Sequence, residues 1–110
     1  MLLKDKQSLL GVLEAVEKIE NYIKDFKSVE EFYKDQKSFD AALMNFVVIG
    51  EMIDRLSDDF KENNNNIDWF KIKGFRNIIA HDYFGVDADE VWEIIKVHLL
   101  KLKEDLSGLV

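Results

Sequence analysis

Apolar residues recur along this chain at intervals of three and four, the spacing that turns one face of an α-helix toward a core. Between residues 5 and 26 the series is Leu9, Leu13, Val16, Ile19, Ile23 and Phe26. Ser28 and Glu31 have the spacing of a capping box and start a short helix through Phe32 and Tyr33. A third helix is predicted over about 37–59, with Phe39, Leu43, Phe46, Gly50, Ile53 and Leu56 along one side. Asn63 to Asn66 are consecutive asparagines, which favour a turn over regular structure. Asp68 can cap a fourth helix that begins at Trp69 and is closed by Gly85. Asp87 with Glu90 offers another capping box, and the last helix carries Val91, Ile95, Leu102 and Leu106 on one face. No alternation of period two persists, and neither a repeat nor a linker divides the chain. The pattern predicts one all-α domain over residues 1–110, an antiparallel bundle of four main helices plus a short one.

Composition narrows the classes. Hydrophobic residues make up 47% of the chain, enough for a small core and too many for a disordered polar tail. With no proline, long helices run without enforced breaks; with no cysteine, neither a disulfide framework nor a thiolate metal site can form. The formal charge of −7 argues against broad coating of nucleic acid, while leaving room for a local basic cleft or a basic protein partner. Lys4, Asp5 and Lys6 are followed by no apolar signal segment, and no stretch is long and uncharged enough to span a membrane. The expectation is a soluble cytoplasmic protein with no membrane association and no metal or other cofactor.

The chemistry-bearing stretch is Arg76-Asn77-Ile78-Ile79-Ala80-His81-Asp82-Tyr83. It holds one of only two arginines and one of only two histidines in the chain. On a helix, Ile72, Phe75, Ile79 and Tyr83 form one stripe with Arg76 inside it, where an unpaired guanidinium is costly. Arg76 therefore needs a partner group, a water-filled cleft or a bound anion; Glu51 is placed to pair with it or with Arg55. His81 projects about 140° away from Arg76 on a straight helix. Either the helix loosens near His81, or the site draws residues from two chains about a two-fold axis; the second is the favoured expectation. Histidine moves protons near neutral pH, and arginine holds a phosphate through two parallel hydrogen bonds. The pair suits metal-independent RNA cleavage by attack of the 2′-hydroxyl on the neighbouring phosphate. Asn77 can position a phosphate or orient His81, Lys71 and Lys73 add local positive charge, and the Tyr83 hydroxyl can donate to RNA or accept a modification. His98 faces the apolar side of the last helix and is expected to be a packed, hydrogen-bonded histidine. Gly50 is expected to permit close helix approach.

An arginine, four residues, a histidine, one residue and a tyrosine make a pattern that resembles the HepT branch of HEPN domains, also called the DUF86 family. Phe46-Val47-Val48-Ile49-Gly50-Glu51, Ile67-Asp68-Trp69, Tyr83-Phe84-Gly85-Val86-Asp87 and Val91-Trp92 extend the resemblance over residues 5–106. The Asn-rich loop before Asp68 departs from it, since similar proteins often carry proline there. The resemblance implies an all-α homodimer whose motif lines a cleft between protomers. It implies an endoribonuclease toxin acting on RNA through Arg76 and His81. It also implies a cognate minimal nucleotidyltransferase antitoxin that adenylylates the motif tyrosine, here Tyr83. Attached AMP would add bulk and negative charge beside Arg76 and block RNA. Two rival readings remain: a non-catalytic subunit presenting a nucleotide or substrate to a nucleotidyltransferase, and a degenerate toxin kept as a partner-binding scaffold.

Overall fold

A computed structural model describes residues 1–77 and 87–110, and among them every regular element is helical. Helix α1 spans Leu3–Ile23, α2 Val29–Lys34, α3 Gln36–Asp54, α4 Asp58–Asn63 and α5 Trp69–Lys73. A single 3₁₀ turn, Gly74–Arg76, continues α5. Helix α6, Ala88–Glu93, runs through a π-helical stretch, Ile94–His98, into α7, Leu99–Ser107, without leaving right-handed helical backbone. None of these helices is long and apolar enough to cross a membrane.

The predicted periodicity is the one that packs. Of the predicted series, Leu9, Val16, Ile19 and Ile23 of α1 and Phe39, Leu43, Phe46 and Ile53 of α3 line a shared core, joined by Val12 and Ile49, while Leu13 and Phe26 are only partly buried. The two helices are antiparallel, for Gly11 meets Met52 and Asp5 meets Ser57. Lys103 of α7 reaches Glu20 at 3.0 Å, and Val91, Ile95, Leu102 and Leu106 enter the same core. Phe26, Phe32, Phe39 and Trp92 close one end, with Phe32 and Trp92 ring centres 5.6 Å apart.

The caps follow the sequence with small changes. Ser28 accepts from the Glu31 N–H, while the Glu31 carboxylate reaches back to the Lys27 N–H at 2.7 Å. Asp68 caps α5 by accepting from the Lys71 N–H, and Asp87 caps α6 by accepting from the Asp89 N–H. Asn64 sits in the predicted Asn-rich turn and accepts from the Trp69 indole N–H at 3.2 Å.

Two expectations require correction. The single helix expected over about 37–59 is two helices. Ser57 is extended, and its hydroxyl caps α4 by accepting from the Phe60 N–H. That break is pinned from outside, because the Ser57 N–H and hydroxyl donate to the two oxygens of Asp5 at 2.8 and 2.7 Å. The carboxylate is buried. Burial raises the Asp5 pKa, but the Ser57 hydrogen bonds and nearby Lys4 outweigh it and leave the group below its ordinary value. The fourth helix also tightens, at Gly74, before the motif begins. Glycine inside a helix costs about 1 kcal/mol relative to alanine, and a 3₁₀ turn advances each residue by about 120° instead of 100°. His81, where the less favoured alternative has the helix loosen, and the Gly85 stop lie outside the described residues.

Candidate functional site

The described part of the motif is delivered by Phe75. Its ring is buried between Phe46 of α3, with centroids 6.2 Å apart, and His98 of the π-helical stretch, also at 6.2 Å. Burying a phenylalanine contributes roughly 1.5–3 kcal/mol. With Ile72 and Phe75 in the core, the next residue emerges at the edge of α3.

There Arg76 meets Gly50. A Cβ on Gly50 would stand 2.9 Å from the Arg76 Cβ and 3.0 Å from its Cδ, so the absence of a side chain lets the arginine stem lie against α3. The guanidinium Nη1 donates to Glu51 Oε1 at 2.8 Å and to Asp54 Oδ2 at 3.1 Å. Lys73 binds the other oxygen of Asp54 at 2.7 Å. The Lys73 hydrogen bond, opposed in part by burial and aided by Arg76, holds the Asp54 carboxyl below its ordinary pKa. Two cations thus face two carboxylates, and the cluster is formally neutral.

These pairs decide geometry more than stability. The Glu51 side chain is 51% exposed and that of Arg76 27%. Ion pairs so open to water contribute roughly 0–1 kcal/mol. Phe75 burial therefore sets where the backbone of Arg76 lies, and the carboxylates set where its guanidinium points.

The structure brings together Arg76, Lys73, Glu51 and Asp54, and leaves Asn77 exposed beside them. His81 and Tyr83 lie outside the described residues. Glu51 pairs with Arg76, one of the two partners the sequence offers it, and Gly50 permits the close approach expected of it; Asp54, which binds Arg76 and Lys73 at once, is not signalled by the motif. Its signal was its spacing: residues 50, 51 and 54 share one side of a helix. Lys71 is not part of this group. It lines a separate cavity of about 200 Å³ with His98, Asn66 and Lys101. His98 is half-buried over Phe75, which is the packing expected of it, but no side-chain hydrogen bond joins it to the described residues. Among the described residues no group of three or more His, Cys, Asp or Glu side chains is placed to hold a metal ion.

Such a cluster, an arginine fixed through one nitrogen and partly exposed, can hold an anionic oxygen pair. A family model described as "Ribonuclease HepT-like" matches residues 12–108. A protein of Methanocaldococcus jannaschii named "Putative RNase" is 31% identical over 93% of this chain and 93% of its own length. A "Probable ribonuclease HepT" of Thermococcus cleftensis is 32% identical over 94% of each. Another M. jannaschii protein, named as a γ-glutamylcyclotransferase and putative RNase, is 38% identical over 90% of this chain, which spans only 44% of that longer protein. No solved structure matches the chain. The chain belongs to the ribonuclease HepT-like family.

Proposed function

We propose that this chain is a metal-independent endoribonuclease toxin of the cytoplasm, working as a homodimer. Arg76 holds the scissile phosphate and stabilises its developing charge, and His81 moves the proton between the ribose 2′-hydroxyl, the solvent and the leaving 5′-oxygen. Asn77 and Lys73 support the phosphate. Tyr83, two residues from His81, is the acceptor for AMP transferred by a minimal nucleotidyltransferase antitoxin, and the added charge and bulk exclude RNA. The observation that supports this most is the fixed, partly exposed guanidinium of Arg76 at the start of the motif, in a chain of the HepT-like family.

The test is cleavage of total RNA in EDTA by the wild-type protein beside Arg76→Ala and His81→Ala. Cleavage by the wild type and by neither variant is expected. Absence of cleavage across several RNA pools overturns the enzyme in favour of a second reading, a non-catalytic partner subunit of a nucleotidyltransferase. The formal neutrality of the Arg76 cluster favours that second reading, because it weakens long-range attraction of RNA.

A further inference from the structure

Toward the described residues, the guanidinium of Arg76 is engaged through a single nitrogen. Both carboxylates take Nη1, and among the described residues neither Nε nor Nη2 has a partner. Nη1 is the nitrogen on the Cδ side of the group. Its two hydrogens are both engaged, so the end-on fork, Nη1 with Nη2, is no longer complete. The side-on fork, Nε with Nη2, keeps two parallel N–H bonds, the arrangement that matches two oxygens of a phosphate.

We infer that Glu51 and Asp54 are positioning residues that hold Arg76 by Nη1 and present its Nε–Nη2 edge to a phosphodiester. This rests on the reading of Arg76 as the phosphate-binding residue, and it names the edge used and the residues that fix it. Three features of the structure cooperate. Gly50 lets the arginine stem lie along α3, so the chain below the guanidinium is confined. Glu51 and Asp54 approach from α3, one turn apart, and together fix the rotation about the last bonds of the side chain. Lys73 occupies the second oxygen of Asp54, which holds that carboxylate in place and offsets its charge toward an incoming anion. Without the carboxylates a four-bond side chain would sample many rotamers, and a misplaced group loses rate steeply. The carboxylates also lower the net charge, so their effect lies in turnover and not in affinity.

The chain has only two arginines, Arg55 and Arg76, so their Nε–H signals can be assigned by ¹⁵N NMR with one substitution. The probe is a 2′-O-methyl oligoribonucleotide, which lacks the attacking hydroxyl and cannot be cleaved. In the wild type it is expected to shift the Arg76 Nε–H signal and leave that of Arg55 in place. In the Glu51→Ala, Asp54→Asn double variant the Arg76 shift is lost, and turnover on cleavable RNA falls about 10- to 100-fold with little change in KM. Glu51→Gln, whose amide oxygen still accepts, retains the shift and most of the turnover. An Arg76 Nε–H signal that stays in place at saturating oligonucleotide overturns the inference, whether the probe binds elsewhere or not at all. So does a double variant that binds more tightly and turns over undiminished, since the carboxylates would then only mask the arginine. If the wild type cleaves no RNA yet its Arg76 signal shifts, and the shift is lost in the double variant and kept in Glu51→Gln, the nuclease reading fails and the positioning role stands.

Discussion

Gly50 and Arg76 are in contact through the absence of a side chain: a Cβ at Gly50 would fall 2.9 Å from that of Arg76. Substituting alanine sets two effects against each other. Alanine favours the helix by about 1 kcal/mol, while overpacking costs about 1–3 kcal/mol. Gly50→Ala should therefore change stability by no more than about 2 kcal/mol, readable in a urea titration. Its effect on RNA cleavage should be much larger, because the Arg76 stem must move and the bonds to Glu51 and Asp54 move with it. A variant that is folded and fully active would show that the position of Arg76 does not matter.

The roles of His81 and Tyr83 separate by substitution. His81→Ala should abolish cleavage while leaving helical circular dichroism and oligomeric state intact. Tyr83→Phe should lose the mass increase of adenylylation when incubated with ATP and the cognate nucleotidyltransferase. Normal cleavage by the first variant removes His81 from the chemistry, and an unchanged mass increase in the second moves the modification elsewhere.

Much of this could be read from the sequence because it is local. The core positions of α1 and α3 follow from spacing alone, and Ser28, Asp68 and Asp87 cap helices a few residues away. For Glu51 the sequence offers two partners, Arg76 and Arg55, and the structure pairs it with Arg76 across two helices. What escaped depends on contacts between distant segments. Asp5 in the first turn of α1 looks like an ordinary dipole-favouring acid, yet it is buried and holds Ser57. Ser57-Asp58-Asp59 does carry a helix-start signature, but the apolar spacing through Leu56 ran over it. The tightening at Gly74 and the Lys73–Asp54 bond likewise depend on how α5 meets α3.

The Asp5–Ser57 link should matter for stability. Asp5→Ala removes a buried carboxylate that accepts two hydrogen bonds, and leaves the Ser57 N–H without that partner. Bonds to charged groups contribute about 1.5–3 kcal/mol each, so a loss of at least about 2 kcal/mol is expected in denaturant titration. The pH dependence has a definite sign. The folded pKa values of Asp5 and Asp54 are depressed, so their contributions are complete above the ordinary carboxylate range and are lost as pH falls through it toward the folded values. Stability should hold from neutral pH to the upper edge of that range and decline below it, less steeply in Asp5→Asn. An Asp5→Asn variant with the wild-type acid profile would show that Asp5 does not carry this dependence.

A composite site makes a prediction that a site within one protomer does not. If Arg76 of one protomer works with His81 of its partner, a dimer has two such sites. Mixing Arg76→Ala with His81→Ala protomers then generates heterodimers. One site in each heterodimer lacks both groups, and the other has both intact. Since about half of randomly reassorted dimers are mixed, about a quarter of wild-type activity should return from two inactive proteins. A site contained in one chain gives none, because every protomer carries one defect. The measurement needs protomers unfolded and refolded together, with each variant refolded alone as the control. Recovery near a quarter supports the two-chain cleft. Complete inactivity of the refolded mixture, with heterodimers verified by mass spectrometry, would place Arg76 and His81 of a single chain in the same site and require the helix itself to bend between them.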